Sequence, residues 1–425
     1  MKPGTPFVAV GQMSGTSRDS LDTVVVEIRG AFPDNVVRLV HAETFPYDRR
    51  WRKWLSLDTR LGPETLSAVG LSGMHFKLGR FLAARAGAAI RNAGLRPRDI
   101  AVIGCHGQTV YHCPPSELPS GSRRARAEVP STFQAGSGAV IAALTGITTV
   151  TDFRSADLAV GGEGAPLVPI YDYVVLRSAA KSRVALNIGG IANLTAIPRR
   201  AGPGSVISFD TGPGNCVIDT AVGITSRGRL RYDRDGAWAR RGSTDRAALA
   251  AMLRHAYFRK RPPKSTGWEE FGVTYTGRMV ERMVSAGADR YSVVRTVTEG
   301  VAESIARAVE RFVSPVMAVD EVIVTGGGCN NLFLMDVLKR RLAPTRVDRG
   351  EAFGVDSRYK EACAFAYLAY LCLKGIPANI ESQRRGREAV ILGAIYPGRP
   401  LRRLALTHPA RSRNARPHQK ERART

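Results

Sequence analysis

The sequence predicts an α/β protein built from two similar halves. Two segments about half a chain apart each contain an apolar strand, a glycine-containing turn and a second strand: 7–13 with 23–28, and 184–188 with 191–197. Paired runs around a short polar turn are typical of β-hairpins, and a pattern repeated at this distance indicates a duplicated architecture. The 425 residues are enough for two domains with substantial cores.

Composition places the chain among ordinary globular proteins, with 44% hydrophobic and 23% charged residues. Residues 1–11 hold only a short apolar run, so we expect no signal peptide. The most apolar segment, 362–373, is too short to span a bilayer. The six cysteines show neither C-x-x-C pairing nor histidine partners at zinc spacing. These features predict a cytoplasmic protein without a membrane span, disulfide framework or zinc knot.

The formal net charge of +25 is unusual and suits nucleic acid or another acidic surface. It is spread through loops and the basic segment from residue 399, and we expect 411–425 to be disordered. Since no single recognisable module carries the charge, specific nucleic-acid binding is disfavoured. A basic nucleic-acid-binding protein remains an alternative hypothesis.

In the first half, the hairpin tip after Met13 is rich in hydroxyls, and the resulting turn is either purely structural or able to wrap nucleotide phosphates. Residues 61–94 are predicted to be largely helical, 100–103 to form a strand, and 135–144 another helix. His106 follows that strand, at the edge where open α/β sheets hold ligands, and bracing the turn is favoured over catalysis. Arg154, after the strand 148–153, or Glu163, in a glycine cluster, could meet a polar substrate.

In the second half, a strand ends on Asp210, a Gly/Pro turn follows, and helical spacing resumes after Asn215. Two glycines allow the backbone to present N–H groups to an anion, and the helix start adds its dipole. The turn could therefore hold a phosphoryl group while Asp210 faces the attacking group. Alone, this pattern is more often an acid that closes an Asx turn.

Two helices and a further glycine turn complete the second half. Residues 297–313 are predicted to form an amphipathic helix, and a strand at 321–325 leads through three glycines into a helix at 332–342. The glycines leave a flat surface against which a nucleoside base could lie. Glu361 opens the last buried helix.

Taken together, these turns resemble the anhydro-N-acetylmuramic acid kinase family of the actin/hexokinase/heat-shock-chaperone ATPase superfamily. The resemblance runs in family order over roughly residues 7 to 397. It rests on Gly11-x-Met13-Ser14-Gly15-Thr16-Ser17-x-Asp19-x-x-Asp22, His106-Gly107-Gln108-Thr109, Thr151-Asp152-Phe153-Arg154, Gly164-Ala165-Pro166-Leu167-Val168-Pro169, Asn187-Ile188-Gly189-Gly190, Phe209-Asp210-x-Gly212-Pro213-Gly214-Asn215, Pro263-Lys264-Ser265-Thr266-Gly267, Gly326-Gly327-Gly328 and Glu361-Ala362.

The resemblance implies a duplicated actin-like ATPase fold with two ribonuclease H-like lobes, 1–180 and 181–398, that close over an interlobe cleft, and a basic tail at 399–425. It implies a kinase that uses ATP and Mg²⁺, opens a 1,6-anhydro sugar with water and phosphorylates O6. The substrate would be 1,6-anhydro-N-acetylmuramic acid and the product N-acetylmuramic acid 6-phosphate, as in peptidoglycan recycling. Asp210 matches the general base, which we expect to stay ionised at neutral pH because the helix start and nearby cations favour that form.

The same mapping assigns the remaining site residues. ATP contacts fall on Gly15, Thr16, Ser17, Arg18, Asp19, Ser20, Gly189, Gly190, Gly212, Gly214, Asn215, Gly326, Gly327 and Gly328. Sugar contacts fall on Gln108, Thr109, Arg154, Glu163 and Glu361, and metal contacts on Asp19 and Glu361.

The sequence departs from the family at several of these positions. The family usually has leucine at Arg18, glycine at Ser20 and glutamine at Glu163, and bacterial members often have arginines where Ser155 and Ala156 stand. Two alternatives therefore stay open: a kinase of levoglucosan, the plain anhydroglucose, and a catalytically silent protein that binds sugar or nucleotide. The partners expected are the sugar and ATP, and a homodimer is also left open.

Overall fold

The computed structural model describes residues 6–15, 18–55, 67–117, 129–380 and 388–398. The predictions on Thr16, Ser17 and the tail 399–425 lie outside the described residues.

Thirteen strands occur in this part of the chain and form three sheets. They are β1 Phe7–Ser14, β2 Ser20–Arg29, β3 Val36–Pro46, β4 Val102–Cys105, β5 Gln108–Cys113, β6 Ser131–Ala135, β7 Thr149–Thr151, β8 Arg183–Ile188, β9 Ile191–Ile197, β10 Ile207–Pro213, β11 Glu321–Thr325, β12 Arg346–Arg349 and β13 Ala394–Tyr396.

The α-helices of the same part of the chain cover the sheets. They are α1 Arg49–Leu55, α2 Ala68–Asn92, α3 Gly138–Thr145, α4 Ser155–Ala159, α5 Pro169–Leu176, α6 Asn215–Thr225, α7 Ala237–Arg241, α8 Arg246–Leu253, α9 Trp268–Phe271, α10 Val273–Ser285, α11 Arg290–Ala308, α12 Leu332–Arg341 and α13 Lys360–Leu373. None of these described helices is both long and apolar enough to cross a bilayer.

The two larger sheets share one topology. The first has the order β13-β7-β4-β1-β2-β3 and the second β12-β11-β8-β9-β10. In each sheet, three consecutive strands form an antiparallel meander: β1-β2-β3 in the first and β8-β9-β10 in the second. Two further strands lie beside the first strand of the meander, and each is parallel to its neighbour. This repetition confirms the predicted duplicated α/β fold of the actin-like ATPases. The smaller sheet is the hairpin β5–β6.

Glycines in the first sheet allow the last helix to approach closely. A Cβ at Gly11 would lie 1.9 Å from the carbonyl oxygen of Ala362, and one at Gly104 would lie 2.1 Å from that of Phe365. Helix α13 is buried along nearly its whole length because it packs on β1, β2 and β4. The chain thus returns to the first sheet after building the second. The domain bounds 1–180 and 181–398 stay a prediction.

Element boundaries differ from the predicted ones for local reasons. The helix predicted at 297–313 begins at Arg290, where the Asp289 side chain accepts hydrogen bonds from the Tyr291 and Ser292 N–H groups and so caps the helix. Its last residues, Val309–Val313, form a π-helical turn. Strand β3, the hairpin β5–β6 and strand β12 were not predicted, because their apolar residues do not alternate clearly.

Candidate active site

Asp210 lies on β10, at the edge of the second sheet. The pairing of β10 with β9 shifts register between Asp210 and Gly212, so the strand bulges at the acid. The other side of the strand contacts the loop after Pro263: the Asp210 N–H donates to the Lys264 carbonyl at 3.1 Å, and the Thr266 N–H donates to Asp210 Oδ2 at 3.0 Å. The bulge and this loop together fix the direction of the carboxylate.

Burial raises the pKa of Asp210 to about 7. The Thr266 N–H and the Lys264 ammonium oppose this shift, while the Glu269 carboxylate adds to it. The sequence predicts a carboxylate that stays ionised at neutral pH, whereas a pKa of about 7 leaves it only partly ionised there, since the loss of hydration outweighs the nearby positive charge. A pKa near neutrality suits a group that must accept a proton and later release it.

Tyr257 contacts the backbone of Asp210 and was not predicted from the sequence. Its hydroxyl donates to the Asp210 carbonyl oxygen at 2.7 Å, and its ring lies 4.5 Å from Lys264 Nζ. Phe258 and Phe271 pack around it. The available signal was the aromatic pair Tyr257-Phe258 shortly before the loop that contains Lys264.

The glycine turn after Asp210 is tied to the β8–β9 hairpin. The N–H groups of Asn215 and Gly214 donate to the Gly189 and Gly190 carbonyls at 2.7 and 2.9 Å, and the Cys216 N–H also donates to Gly190 at 3.1 Å. These amides were expected to face an anion, and here the hairpin occupies them instead. A phosphate at this turn would need other donors.

Two glycines of the predicted nucleotide surface lack a packing explanation. A Cβ at Gly214, Gly326 or Gly328 would lie within 2.6 Å of neighbouring atoms, so packing alone excludes a side chain there. At Gly189 and Gly327 the nearest atoms would be 3.5 and 3.4 Å away, an ordinary contact distance. Packing against the described residues therefore does not require glycine at these two positions.

The first hairpin tip has a different construction. The Arg18 N–H donates to the Gly15 carbonyl at 3.1 Å, and the Tyr47 N–H donates to the Asp19 carbonyl at 2.9 Å. Arg18 has φ 56°, a conformation that glycine adopts more readily than arginine. Burial lowers the pKa of its guanidinium. Ser20 begins β2, so the tip ends there.

Arg154 is held by His106. The Arg154 Nε and Nη2 atoms lie 3.1 and 2.9 Å from His106 Nε2, and Nη1 donates to the Gly164 carbonyl at 2.7 Å. His106 Nε2 must accept, so the ring proton is on Nδ1, 2.9 Å from the Gly107 carbonyl. Burial and the Arg154 charge lower the pKa of His106 to about 3. The favoured bracing interpretation of His106 therefore agrees with the geometry.

Gln108 is buried at the start of β5. Its Oε1 accepts a hydrogen bond from the Ser14 hydroxyl at 2.7 Å, and Ser14 accepts one from the Tyr47 hydroxyl at 3.0 Å. The amide nitrogen lies 3.4 Å from the Thr109 carbonyl. This chain of contacts links the predicted sugar strand to the first hairpin.

Glu163 lines a cavity of about 390 Å³ between the two lobes. Its Oε2 accepts from the Ser116 hydroxyl at 2.7 Å. Across the cavity, the second lobe contributes Lys260, Arg261 and Lys264. Because the Lys264 carbonyl accepts the Asp210 N–H, the loop that borders this cavity is the one that positions Asp210.

Glu361 opens α13 beside a buried ion pair. Burial raises the pKa of Glu361, and the charges of Lys360 and Arg154 oppose the shift. Lys360 Nζ lies 3.0 Å from Asp172 Oδ1, and the two side chains are only 2% and 4% exposed. Thr195 of β9 donates to the other Asp172 oxygen at 3.1 Å. The pair thus joins α13 to the second sheet through α5.

Within the described residues, no three His, Cys, Asp or Glu side chains form a group that could hold a metal ion. The structure accordingly does not place Asp19 and Glu361 in such a cluster.

The duplicated sheets, the glycine-lined turns and the acid beside an interlobe cavity define a two-lobed phosphotransferase of the actin-like ATPase fold. Residues 7–398 match the family model described as anhydro-N-acetylmuramic acid kinase. The chain belongs to the anhydro-N-acetylmuramic acid kinase family. It is accordingly a sugar kinase that uses ATP in amino-sugar metabolism.

Similar proteins extend over nearly the whole chain. The anhydro-N-acetylmuramic acid kinase of Caldanaerobacter subterraneus subsp. tengcongensis is 40% identical over 388 residues, which cover 91% of this chain and 96% of that protein. The kinase of the same name from Gloeobacter violaceus is 41% identical, with 92% and 99% covered. That of Bacillus cereus (strain 03BB102) is 35% identical, with 91% and 98% covered.

Proposed function

We propose that this kinase opens the 1,6-anhydro bond of 1,6-anhydro-N-acetylmuramic acid with water and phosphorylates O6, yielding N-acetylmuramic acid 6-phosphate and ADP in the cytoplasm. The observation that carries the proposal is Asp210: a partly exposed acid on a bulged strand, beside glycine turns, whose pKa lies at about 7.

Asp210 acts as general base on the attacking water. Its carboxylate accepts a proton as the water oxygen bonds to the anomeric carbon, and the bond from that carbon to O6 breaks. O6 then bonds to the γ-phosphorus of ATP, and the bond between that phosphorus and the ADP oxygen breaks. The Thr266 N–H and the Lys264 charge stabilise the ionised form that must receive the proton. Tyr257 holds the strand beneath the acid through its bond to the Asp210 carbonyl. General-base catalysis of this kind contributes roughly 10² to 10⁴ in rate.

ATP fits the side-chain-free surface of the second lobe. The open positions at Gly189 and Gly327 leave bare backbone where a nucleotide would lie, and Asn215 and Gly212 border the same turns. Because the amides of Gly214, Asn215 and Cys216 donate to the hairpin, we assign the phosphate contacts to the first tip, at Gly15, Arg18, Asp19 and Ser20. The Arg18 N–H already donates to the Gly15 carbonyl, so Arg18 would contribute its guanidinium.

Mg²⁺ normally binds proteins through one or two carboxylates, with phosphate oxygens and waters completing its shell. Asp19 on the first tip and Glu361, whose pKa burial raises, fit that limited role better than a cage of several acids. When bound, the ion neutralises charge on the transferring phosphoryl group.

The first lobe supplies most of the proposed sugar contacts. Arg154 is fixed by His106 and Gly164, so its remaining N–H groups point in a set direction. Glu361, Gln108, Thr109 and Glu163 complete the proposed contacts. Three cations, Lys260, Arg261 and Lys264, face one acid in the cavity beside Asp210, and this charge balance favours a sugar that carries a carboxylate over neutral levoglucosan.

ADP release measured with anhydromuramic acid and with levoglucosan tests the proposal. We expect turnover with anhydromuramic acid, a weaker response to levoglucosan, and a loss of about 10³-fold in kcat for Asp210→Asn, which removes the base with little change of shape. Asp219→Asn, a second acid of the same segment, is the matched control. Full activity of Asp210→Asn would refute the assigned mechanism, and ATP binding without turnover on either sugar would favour the silent alternative.

A further inference from the structure

A further cavity lies on the first lobe and does not include Asp210 in its lining. It encloses about 670 Å³ between α1 and α2. The sequence of α1 is RRWRKWL, in which basic and aromatic residues alternate closely. None of its lining residues takes part in the site described above.

Aromatic rings form the floor of this groove. The ring centroids of Trp51 and Trp54 are 5.4 Å apart at an interplanar angle of 64°, and those of Trp51 and Phe81 are 5.0 Å apart. Tyr47 packs beneath Phe81 at 5.4 Å. Trp51, Trp54 and Phe81 line the groove, and each remains partly exposed. Rings with this exposure can stack with a planar group of a ligand.

Cations stand on both sides of that floor. Arg50 and Lys53 lie three residues apart on α1, and Lys77 and Arg80 lie three apart on α2, so each pair shares one helix face. Lys77 Nζ also lies 5.4 Å from the Trp54 ring centroid. Among the described lining residues the one acid is Asp48, which accepts the Trp51 N–H at 2.7 Å and caps α1. The groove therefore presents positive charge to a ligand.

We propose that this groove binds single-stranded nucleic acid without sequence preference. Basic walls that follow a phosphate backbone, together with aromatic rings on which bases stack, are the features by which proteins hold single strands. A net charge of +25 adds long-range attraction. The concave shape and the partly buried tryptophans favour an inserted chain over a flat membrane, on which aromatic side chains would project outward.

The test measures the fluorescence anisotropy of labelled oligothymidylate, about twenty nucleotides long to exceed one binding site, against the full chain at several salt concentrations. The double variant Arg50→Glu with Arg80→Glu should weaken binding at least about tenfold. The slope of log affinity against log salt concentration should become shallower by about 1.4, because two phosphate contacts are lost. Trp54→Ala should weaken it at least about fivefold, and Trp54→Phe should restore most of the loss.

The matched control reverses two exposed charges on another helix, Lys339→Glu with Arg340→Glu on α12, and should leave affinity near that of the unaltered chain apart from a small general effect. ADP release with ATP and anhydro sugar should be retained by the groove variants and verifies their folding. Retained activity also separates this proposal from the proposed kinase chemistry.

Four outcomes would overturn the proposal. The first is oligonucleotide affinity equal in the groove variants and the control, which would place binding elsewhere, for instance in 399–425. The second is an affinity of Trp54→Ala equal to that of the unaltered chain, which would mean that binding depends on charge alone and not on base stacking. The third is displacement by thymidine monophosphate at micromolar concentration, which indicates a mononucleotide site. The fourth is groove-dependent binding of phosphatidylglycerol vesicles without binding of the oligonucleotide, which indicates a membrane surface.

Discussion

The two lobes present opposite surfaces at the same topological position. In the first sheet, β4 is followed by His106 and Gln108, whose side chains contact Arg154 and Ser14. In the second sheet, the matching strand β11 is followed by Gly326, Gly327 and Gly328, which offer backbone alone. One fold, used twice, therefore supplies side chains on one side of the cleft and bare main chain on the other. This division suits a sugar on the first lobe and a nucleotide on the second.

The hairpin tips differ in the same sense. The second tip, at Gly189 and Gly190, is fastened to the start of α6 by three backbone hydrogen bonds. Among the described residues of the first tip, the Arg18 N–H donates to the Gly15 carbonyl and the Tyr47 N–H donates to the Asp19 carbonyl. The duplicated topology fixes where the loops meet, and the loop sequences determine what each loop can bind.

The largest effect is expected where the lobes are joined. Lys360→Met should lower the free energy of unfolding by about 3–5 kcal/mol, because it leaves the nearly fully buried Asp172 charge without its partner. Urea unfolding followed by circular dichroism measures the change. If the two lobes unfold as one unit, the single unfolding transition should move to lower urea concentration. If the substitution loosens only the junction, the two lobes should instead unfold in two separate transitions.

Arg240→Met is the matched control, because it removes a cation from an ion pair whose side chains are 48% and 43% exposed. Its effect should stay within about 1 kcal/mol, as for surface pairs. An equal decrease in the free energy of unfolding in both variants would mean that the Lys360–Asp172 pair contributes no more than a surface ion pair. The proposed role of this buried pair in joining the lobes would then be wrong.

The next effect sharpens the difference between backbone and side-chain surfaces. Gly327→Val should raise the KM for ATP at least about tenfold, equivalent to roughly 1.4 kcal/mol, because its side chain would occupy space that protein atoms leave open. The KM for the sugar should change little. Steady-state kinetics with each substrate varied separately measures the contrast.

Gly204→Val supplies the control, since a Cβ at Gly204 would meet nothing within 4 Å and this glycine lies on an exposed 3₁₀ turn between β9 and β10. It should leave both constants near their original values. A rise in the KM for the sugar alone in Gly327→Val would reverse the proposed assignment of the two surfaces.

The sequence was sufficient to predict features encoded locally. The hairpin strands, the turn after Asp210 and the glycines after β11 each have a short pattern of their own, and the resemblance placed them in order. The features it missed depend on partners distant in the chain. No local pattern shows that Tyr257 would donate to the Asp210 carbonyl, that the hairpin would occupy the Asn215 amide, or that Lys360 would meet Asp172. Burial also raised the pKa of Asp210 above the value expected from the sequence, because hydration is lost only in the folded protein.

The smallest effect concerns the acid limb of the pH profile. Asp210 must be ionised to accept a proton, so kcat/KM should fall about tenfold per pH unit below a pKa of about 7. The Lys264 cation lowers that pKa, so Lys264→Met should move the limb to higher pH by a fraction of a unit to about one unit. Because burial lowers the pKa of Lys264 itself to about 8, both proteins should converge above that pH.

Lys260→Met tests whether this shift is specific to one cation. Both lysines line the interlobe cavity, but only Lys264 acts directly on the Asp210 pKa. The acid limb of the kcat/KM profile should therefore stay at the same pH in Lys260→Met, even if the KM for the sugar changes. If both variants move the acid limb equally, the pKa of Asp210 is set by the total positive charge of the interlobe cavity. The contact between Lys264 and the strand that carries Asp210 would then have no specific effect on that pKa.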